Sequence, residues 1–335
     1  MRLHEDTKDA ANSMHLPTGV RLLIAASLLV QGLVSATIPP EVKKAVTFIY
    51  PADAHGDIVR DPKTGVPLPY GTGFFVFVSN DTPGGVGGYG YLVTAKHVLK
   101  APSGESFSRI YLRLNKLKGD AEFVALDLVQ GGHSIVFEHT DSTVDIAVMP
   151  AFPSESIFDF KMIPADMLSL KSESNLNISE GTEVFFTGLF TGYVGEHRNN
   201  PIVRFGKVAM LPEDRIAWQE NNQPPQLVEL YLLETQSYGG NSGSPVFFSF
   251  GADRTPGSIV IGPPVLKLAG IMRGSFNESR AIGFVQPAAG PPIPVSSQNI
   301  GIAAVTPAHL LYEILFSDGL KKQRKEHPIT PPPAK

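Results

Sequence analysis

An all-β fold is the class that this sequence predicts, and two features of its pattern and composition support it. Short runs of β-branched and aromatic residues recur along most of the chain, separated by turn-forming residues. Gly and Pro account for 32 and 29 of the 335 residues and are spread along the sequence rather than concentrated in one tract. Many short strands joined by turns are typical of β-barrels and β-sandwiches. With 42% hydrophobic residues, the chain can also bury a sizeable core.

The first group of predicted strands fills the N-terminal half of the chain. Its strands are expected at residues 45–50, 74–78, 89–94, 110–114, 123–129, 134–138 and 144–149. The glycines and the proline of DTPGGVGG, at residues 81–88, suit a hairpin connection between the second and third strands. Residues 152–180 contain few strand signals and are therefore predicted to connect the two halves.

The second group of predicted strands is followed by one helix. Its strands are expected at residues 183–187, 202–209, 227–235, 245–250, 265–272 and 300–305. In residues 307–316 the apolar side chains recur at helical spacing, with Thr306 placed as an N-cap and Pro307 in the first turn. The sequence therefore predicts a C-terminal amphipathic helix after the last strand.

The two ends of the chain predict segments outside the folded region. Arg21 precedes an apolar run at residues 22–34, and Val34-Ser35-Ala36 offers small residues for a signal peptidase, so residues 1–36 are predicted to be a signal peptide. An uncleaved anchor and a start at Met14 remain alternatives. Residues 318–335 are basic and Pro-rich and are predicted to be a disordered, solvated tail. Between them, residues 37–165 and 166–317 are expected to form two β domains.

Charge and composition exclude several classes of function. The formal net charge is −4 and the body of the chain has no long basic stretch, which argues against a nucleic-acid partner. The absence of cysteine excludes disulfides and thiolate chemistry. The histidines form no metal-binding motif, so no metal and no cofactor are expected. An export signal without cysteine favours a bacterial periplasmic or extracellular protein, not inserted in a membrane after the signal is removed.

Three short segments carry residues with catalytic chemistry. His97 follows a predicted strand, Asp145 begins an apolar strand, and Ser242 lies between two strands with glycines nearby. A serine hydroxyl is a weak nucleophile until a neutral imidazole takes its proton, and the imidazole needs a carboxylate to fix its tautomer. These residues form a candidate triad, with Asp141 as a competing carboxylate. A backbone free of Cβ atoms also lets the amides of Gly240 and Ser242 point at a developing oxyanion.

These motifs resemble the chymotrypsin-like serine peptidase family, and more closely its bacterial, disulfide-free branch. The resemblance extends over residues 46–314, and its motifs are at residues 71–74 (GTGF), 94–98 (TAKHV), 145–148 (DIAV), 240–245 (GNSGSP) and 270–274 (GIMRG). It implies two packed, six-stranded antiparallel β-barrels with the active site between them. It also implies that the protein hydrolyses proteins or peptides through an acyl-enzyme intermediate.

The resemblance further implies where a substrate side chain would bind. The floor of the specificity pocket falls at Gln236, and its walls include Met272, Arg273 and Gly274. None of these residues is a carboxylate, so a neutral substrate side chain is expected rather than Arg or Lys. Many family members have an aspartate before the nucleophile that pairs with an N-terminus freed by zymogen cleavage. This chain has Asn241 there, so activation by that route is not expected.

Two other kinds of protein fit part of these observations. A catalytically silent homologue would use the cleft as a peptide-binding module, but the complete triad argues against it. An esterase of the α/β-hydrolase type would place its catalytic residues in the order Ser, acid, His and alternate strands with helices, and the sequence shows neither feature. Trp218 is predicted to be a packing residue or, alternatively, a surface anchor at the cleft.

Overall fold

The computed structural model describes residues 38–80, 87–171, 176, 178–220, 224–251, 264–281 and 295–327. Strands dominate this part of the chain, which confirms the all-β prediction. The predicted signal peptide lies outside the described residues. Among the helices that the structure describes, none has the length and apolar character needed to cross a membrane.

The N-terminal half is built around an eight-stranded sheet. A short helix, α1 (Glu41–Lys44), precedes it. The strands of this half are β1 (Val46–Pro51), β2 (Gly71–Ser79), β3 (Gly88–Thr94), β4 (Arg109–Leu114), β5 (Glu122–Asp127), β6 (Val129–Gln130), β7 (His133–Ser134), β8 (Phe137–Glu138), β9 (Ala147–Pro150) and β10 (Ile163–Pro164). The sheet order is β5-β4-β1-β2-β3-β9-β8, with β10 beside β2, while β6 and β7 pair separately.

This half differs in detail from the six-stranded closed barrel that was predicted. The pairings of the described strands follow an open path that ends at β5 and β8. Strand β8 pairs with β9 and strand β5 pairs with β4, and no pairing joins β5 to β8 among the described residues. The sheet still encloses a core, formed by fully buried side chains that include Ile49, Phe75, Leu92 and Ile110.

The C-terminal half contains the predicted six-stranded barrel. Its strands are β11 (Glu183–Gly188), β12 (Ile202–Met210), β13 (Ile216–Trp218), β14 (Gln226–Val228), β15 (Tyr231–Glu234), β16 (Pro245–Phe250), β17 (Val265–Ala281) and β18 (Val295–Pro307). The barrel closes in the order β11-β12-β15-β18-β17-β16. The single strand predicted at residues 227–235 is divided, because β14 pairs with β13 in a separate hairpin and only β15 joins the barrel.

Two helices follow the barrel, although only one was predicted. Helix α2 (Ala308–Leu315) matches the prediction, but Pro307 rather than Thr306 stands at its N-cap. Helix α3 (Asp318–Glu326) occupies the start of the segment that was predicted to be a solvated tail. Leu320 is fully buried, and Arg324 donates hydrogen bonds to the Tyr91 hydroxyl and to a backbone carbonyl, so this helix packs onto the N-terminal sheet. The division into two β domains stays a prediction.

Candidate active site

His97 and Asp145 form a doubly hydrogen-bonded pair. Strand β3 ends at Thr94, and His97 lies in the 3-10 turn Lys96–Leu99 that follows it. The ring Nδ1 of His97 is 2.7 Å from Asp145 Oδ2, and the backbone N–H of His97 donates to Asp145 Oδ1 at 2.9 Å. A third of the His97 side chain is exposed, whereas that of Asp145 is 3% exposed. The competing carboxylate, Asp141, instead accepts hydrogen bonds from Thr143 and from Arg215.

The pair shifts the pKa of both groups. Burial is the largest influence on the pKa of Asp145 and raises it, but the hydrogen bonds and charge of His97, together with Arg273, hold this pKa below its ordinary value. Burial likewise is the largest influence on the pKa of His97 and lowers it. The charges of Asp145 and Glu220 and the hydrogen bond to Asp145 outweigh burial, so the pKa of His97 is raised. The carboxylate is therefore ionised and stabilises a protonated imidazole.

Ser242 lies in a turn between β15 and β16 that is tied to both halves of the molecule. Its backbone carbonyl accepts a hydrogen bond from Thr72 N at 2.9 Å, and the next residue, Gly243, donates to Met272 O at 2.8 Å. The Ser242 hydroxyl donates to the backbone carbonyl of Arg273 at 3.1 Å. Because a hydroxyl has one proton, it must rotate away from this carbonyl before it can donate to His97.

The turn requires glycine at two positions. Gly240 and Gly243 have φ angles of +92° and +85°, a region that glycine enters without steric cost. A Cβ atom on Gly243 would lie 2.0 Å from the carbonyl oxygen of Thr72, and one on Gly240 would lie 2.8 Å from Leu189 Cδ2. The glycines on either side of Ser242 in the sequence thus permit the close approach of this turn to β2 and to Leu189.

Buried side chains hold this turn in place. The hydroxyl of Thr72 donates to Gly240 O at 2.7 Å and accepts from Leu189 N at 3.0 Å. Asn241, which is 2% exposed, accepts from Tyr238 N at 2.8 Å and donates to Leu189 O at 2.6 Å. The sequence motif GTGF marked residue 72, but only the structure shows that its hydroxyl contacts the candidate oxyanion loop.

The residues expected to bind substrate lie in different environments. Gln236 is exposed, and its side-chain carbonyl accepts from the Tyr238 hydroxyl at 2.6 Å. Met272 is fully buried in the barrel core, so it offers its backbone rather than its side chain to the site. Arg273 is also buried, with its guanidinium turned toward the Asp145 segment instead of lining an open pocket. The backbone carbonyl of Gly274 accepts a hydrogen bond from the Ser237 hydroxyl at 3.2 Å. This bond connects the predicted wall of the pocket to the residue that follows Gln236, its predicted floor.

Sequence reasoning missed the role of Glu220. Its carboxylate accepts hydrogen bonds from Arg273 Nε and Nη2 at 3.0 and 2.7 Å. Single atoms of His97, Asp145 and Glu220 lie within 4.8 Å of one another, a separation that a metal site would also need. The positive charge beside these carboxylates is supplied by Arg273, however, and we assign no metal to the cluster. Trp218 is 9% exposed and lies under the same guanidinium, so it is a packing residue.

An all-β fold that brings a histidine–aspartate pair and a glycine-flanked serine into one site defines a class of protein, the chymotrypsin-like serine peptidases. The family model described as a trypsin-like peptidase domain matches residues 71–251, more than half of the chain. The chain belongs to this family, and its function is that of a peptidase.

Two solved structures illustrate how remote the similar proteins are. The chain is 14% identical to the Rv3671c protease from M. tuberculosis in its active form, with a TM-score of 0.39 over 94% of this chain and 93% of that chain. It is 12% identical to human heparin binding protein, with a TM-score of 0.41 over 90% of this chain and 100% of that chain. A comparison with curated protein sequences found no match.

Proposed function

We propose that the protein is an exported serine endopeptidase in which His97, Asp145 and Ser242 form the catalytic triad. The observation that carries the proposal is the double contact between His97 and the two oxygens of Asp145, at 2.7 and 2.9 Å. One contact selects the ring tautomer that leaves Nε2 free to accept a proton, and the other fixes the backbone that carries the ring.

The proposed reaction uses these groups in order. The Ser242 oxygen attacks the scissile carbonyl carbon while its proton passes to His97 Nε2, and the carbonyl oxygen becomes an oxyanion held by the N–H groups of Gly240 and Ser242. The C–N bond then breaks, and the same proton moves from His97 to the leaving amine. Water, deprotonated by His97, attacks the acyl-enzyme and restores the Ser242 hydroxyl as the carboxylic acid product leaves. Asp145 stabilises the protonated imidazole throughout.

The proposed substrates are proteins or peptides with a neutral side chain at the cleaved position. Gln236 contributes an amide rather than a carboxylate to the predicted pocket. The charged groups beside the triad, Arg273 and Glu220, bond to each other and are therefore not free to select a charged substrate. Export is supported by the basic residue, apolar run and small residues at the start of the sequence.

One observation favours the alternative of a silent, peptide-binding homologue. The hydroxyl proton of Ser242 is donated to Arg273 O, not to His97. A neutral hydrogen bond of this kind contributes about 1 kcal/mol, so rotation of the hydroxyl costs little beside the barrier of peptide hydrolysis. The contact therefore describes a resting position that does not prevent catalysis.

Labelling with a fluorophosphonate tests the proposal, because the probe reacts only with an activated serine. The wild type should be labelled, and Ser242→Ala should not. Ser244→Ala is the matched control, since this neighbouring hydroxyl is buried and has no hydrogen-bond partner among the described residues; it should label like the wild type. Casein digestion followed by mass spectrometry of the fragments then identifies internal cleavage. A folded wild type that neither labels nor cleaves casein would refute the proposed activity and favour the silent homologue.

A further inference from the structure

Arg273 is a buried arginine that joins three parts of the candidate active site. Its side chain is 5% exposed and projects from β17, the strand whose backbone carbonyl receives the Ser242 hydroxyl. The guanidinium donates to Thr143 O at 3.0 Å and to Glu220 at 2.7 and 3.0 Å, and it lies over the ring of Trp218. A buried charge is costly unless it is paired, and Glu220 is the partner that compensates it.

The pair also lies beside the catalytic carboxylate. Arg273 Nε is 3.8 Å from Asp145 Oδ2, the same oxygen that contacts His97 Nδ1. The Glu220 carboxylate lies within 4.8 Å of both the His97 ring nitrogen and an oxygen of Asp145. The imidazole is therefore surrounded by two carboxylates and one guanidinium, whose effects on its protonation have opposite signs.

We propose that Arg273 and Glu220 are positioning residues. They anchor residues 143–145, the Asp145 segment, and balance the charge around His97, so that together they set the pH below which kcat/KM falls. This inference rests on the proposed function, because it assigns His97 the role of general base. Arg273 anchors the segment through Thr143 O, two residues before Asp145. Because Glu220 binds the guanidinium, Arg273 makes no short hydrogen bond to Asp145, and the Asp145 carboxylate remains available to His97.

Among the described residues, three further ion pairs involve residues 138–141, just before the Asp145 segment. These pairs are Lys96 with Glu138, Asp141 with Arg215, and His139 with Glu313. Arg215 lies at the start of the same hairpin region as Glu220 and bridges to the same segment, but its partner is Asp141 rather than a residue of the triad. It therefore provides a matched control for the loss of an arginine contact between these two parts of the chain.

Substitutions in the pair should move the acid limb of the pH profile in opposite directions. Glu220→Gln removes a negative charge near His97, so the midpoint of kcat/KM should fall by about one pH unit. Arg273→Met keeps the packing on Trp218 but removes the positive charge, so the midpoint should rise by about one unit. The double variant should return toward the wild-type midpoint, and Arg273→Lys should retain it. Arg215→Met should leave it unchanged.

The experiment measures each midpoint in two ways. The pH dependence of kcat/KM is recorded with an internally quenched peptide, and the titration of the His97 ring is followed by NMR in the Ser242→Ala background, where no turnover is needed. Opposite shifts that cancel in the double variant support the inference. Equal midpoints in Glu220→Gln and the wild type overturn it, even if Arg273→Met does not fold. A wild type without Ser242-dependent hydrolysis would refute the proposed function, while the NMR midpoints would still test the charge balance.

Discussion

Replacing Thr72 by valine should damage both the fold and the candidate oxyanion hole. The Thr72 side chain is fully buried, and its hydroxyl satisfies Gly240 O at 2.7 Å and Leu189 N at 3.0 Å. Valine has nearly the same shape, so it creates no cavity but leaves two buried backbone groups unpaired. Each such group costs about 1 to 3 kcal/mol, which predicts a loss of about 2 to 6 kcal/mol in the free energy of unfolding.

The same substitution should reduce catalysis beyond its effect on stability. Gly240 loses the contact that fixes its carbonyl, so the backbone on both sides of its Cα atom, including the N–H proposed as an oxyanion donor, is held less firmly. Loss of one oxyanion donor lowers kcat by about 10² to 10³, so a partly misoriented Gly240 should lower kcat by about tenfold to a hundredfold. Urea unfolding measures the first effect, and kcat with a peptide substrate measures the second.

Thr47→Val is the matched control for this prediction. Thr47 is fully buried in β1, and its hydroxyl donates to Arg113 O at 3.0 Å, in the N-terminal sheet. Asn199 Nδ2 also donates to Arg113 O, so this carbonyl keeps a partner, and the variant should lose about 0.5 to 1.5 kcal/mol of stability but retain kcat. If Thr72→Val also kept its wild-type kcat while losing stability, Thr72 would serve the fold alone and the reasoning about the oxyanion loop would be refuted.

Four further outcomes are expected. Asp145→Asn should lower kcat by about 10⁴, because an amide favours the wrong tautomer of His97; unchanged peptide hydrolysis would exclude this carboxylate from the triad. The rise of kcat/KM with pH should have its midpoint above about 6.5, since the charges of Asp145 and Glu220 and the hydrogen bond to Asp145 together outweigh burial and raise the pKa of His97, and only the neutral imidazole accepts a proton; a midpoint below about 6 in the pH profile would contradict this. Chains that begin at residue 37, with and without an added Met, should have equal kcat, because both polar groups of buried Asn241 are hydrogen-bonded within the protein; strong dependence on the terminal amine would be evidence for zymogen-like activation. Leu320→Ala should lower the free energy of unfolding by about 2 to 5 kcal/mol in urea, whereas an unchanged value would show that helix α3 does not pack in solution.

The sequence predicted the main strands because their signal is local. Alternation of apolar residues and the positions of glycine and proline report on the conformation of a residue and its near neighbours. The same local signals failed at residues 227–235, where one apolar run is divided between a hairpin and the barrel. They failed again at helix α3, whose charged sequence is held by a few contacts, among them the buried Leu320 and the hydrogen bonds of Arg324.

By itself, the sequence determined the fold class, the family and the candidate triad. His97, Asp145 and Ser242 each lie in a short motif, and their residue types are the ones that this catalytic chemistry requires. The tertiary structure alone decided what surrounds them. The Thr72 hydroxyl reaches Gly240 across 168 positions of the chain, and Arg273 reaches Glu220 across 53. Such contacts depend on which distant segments pack together, and the pattern of neighbouring residues carries no information about that packing.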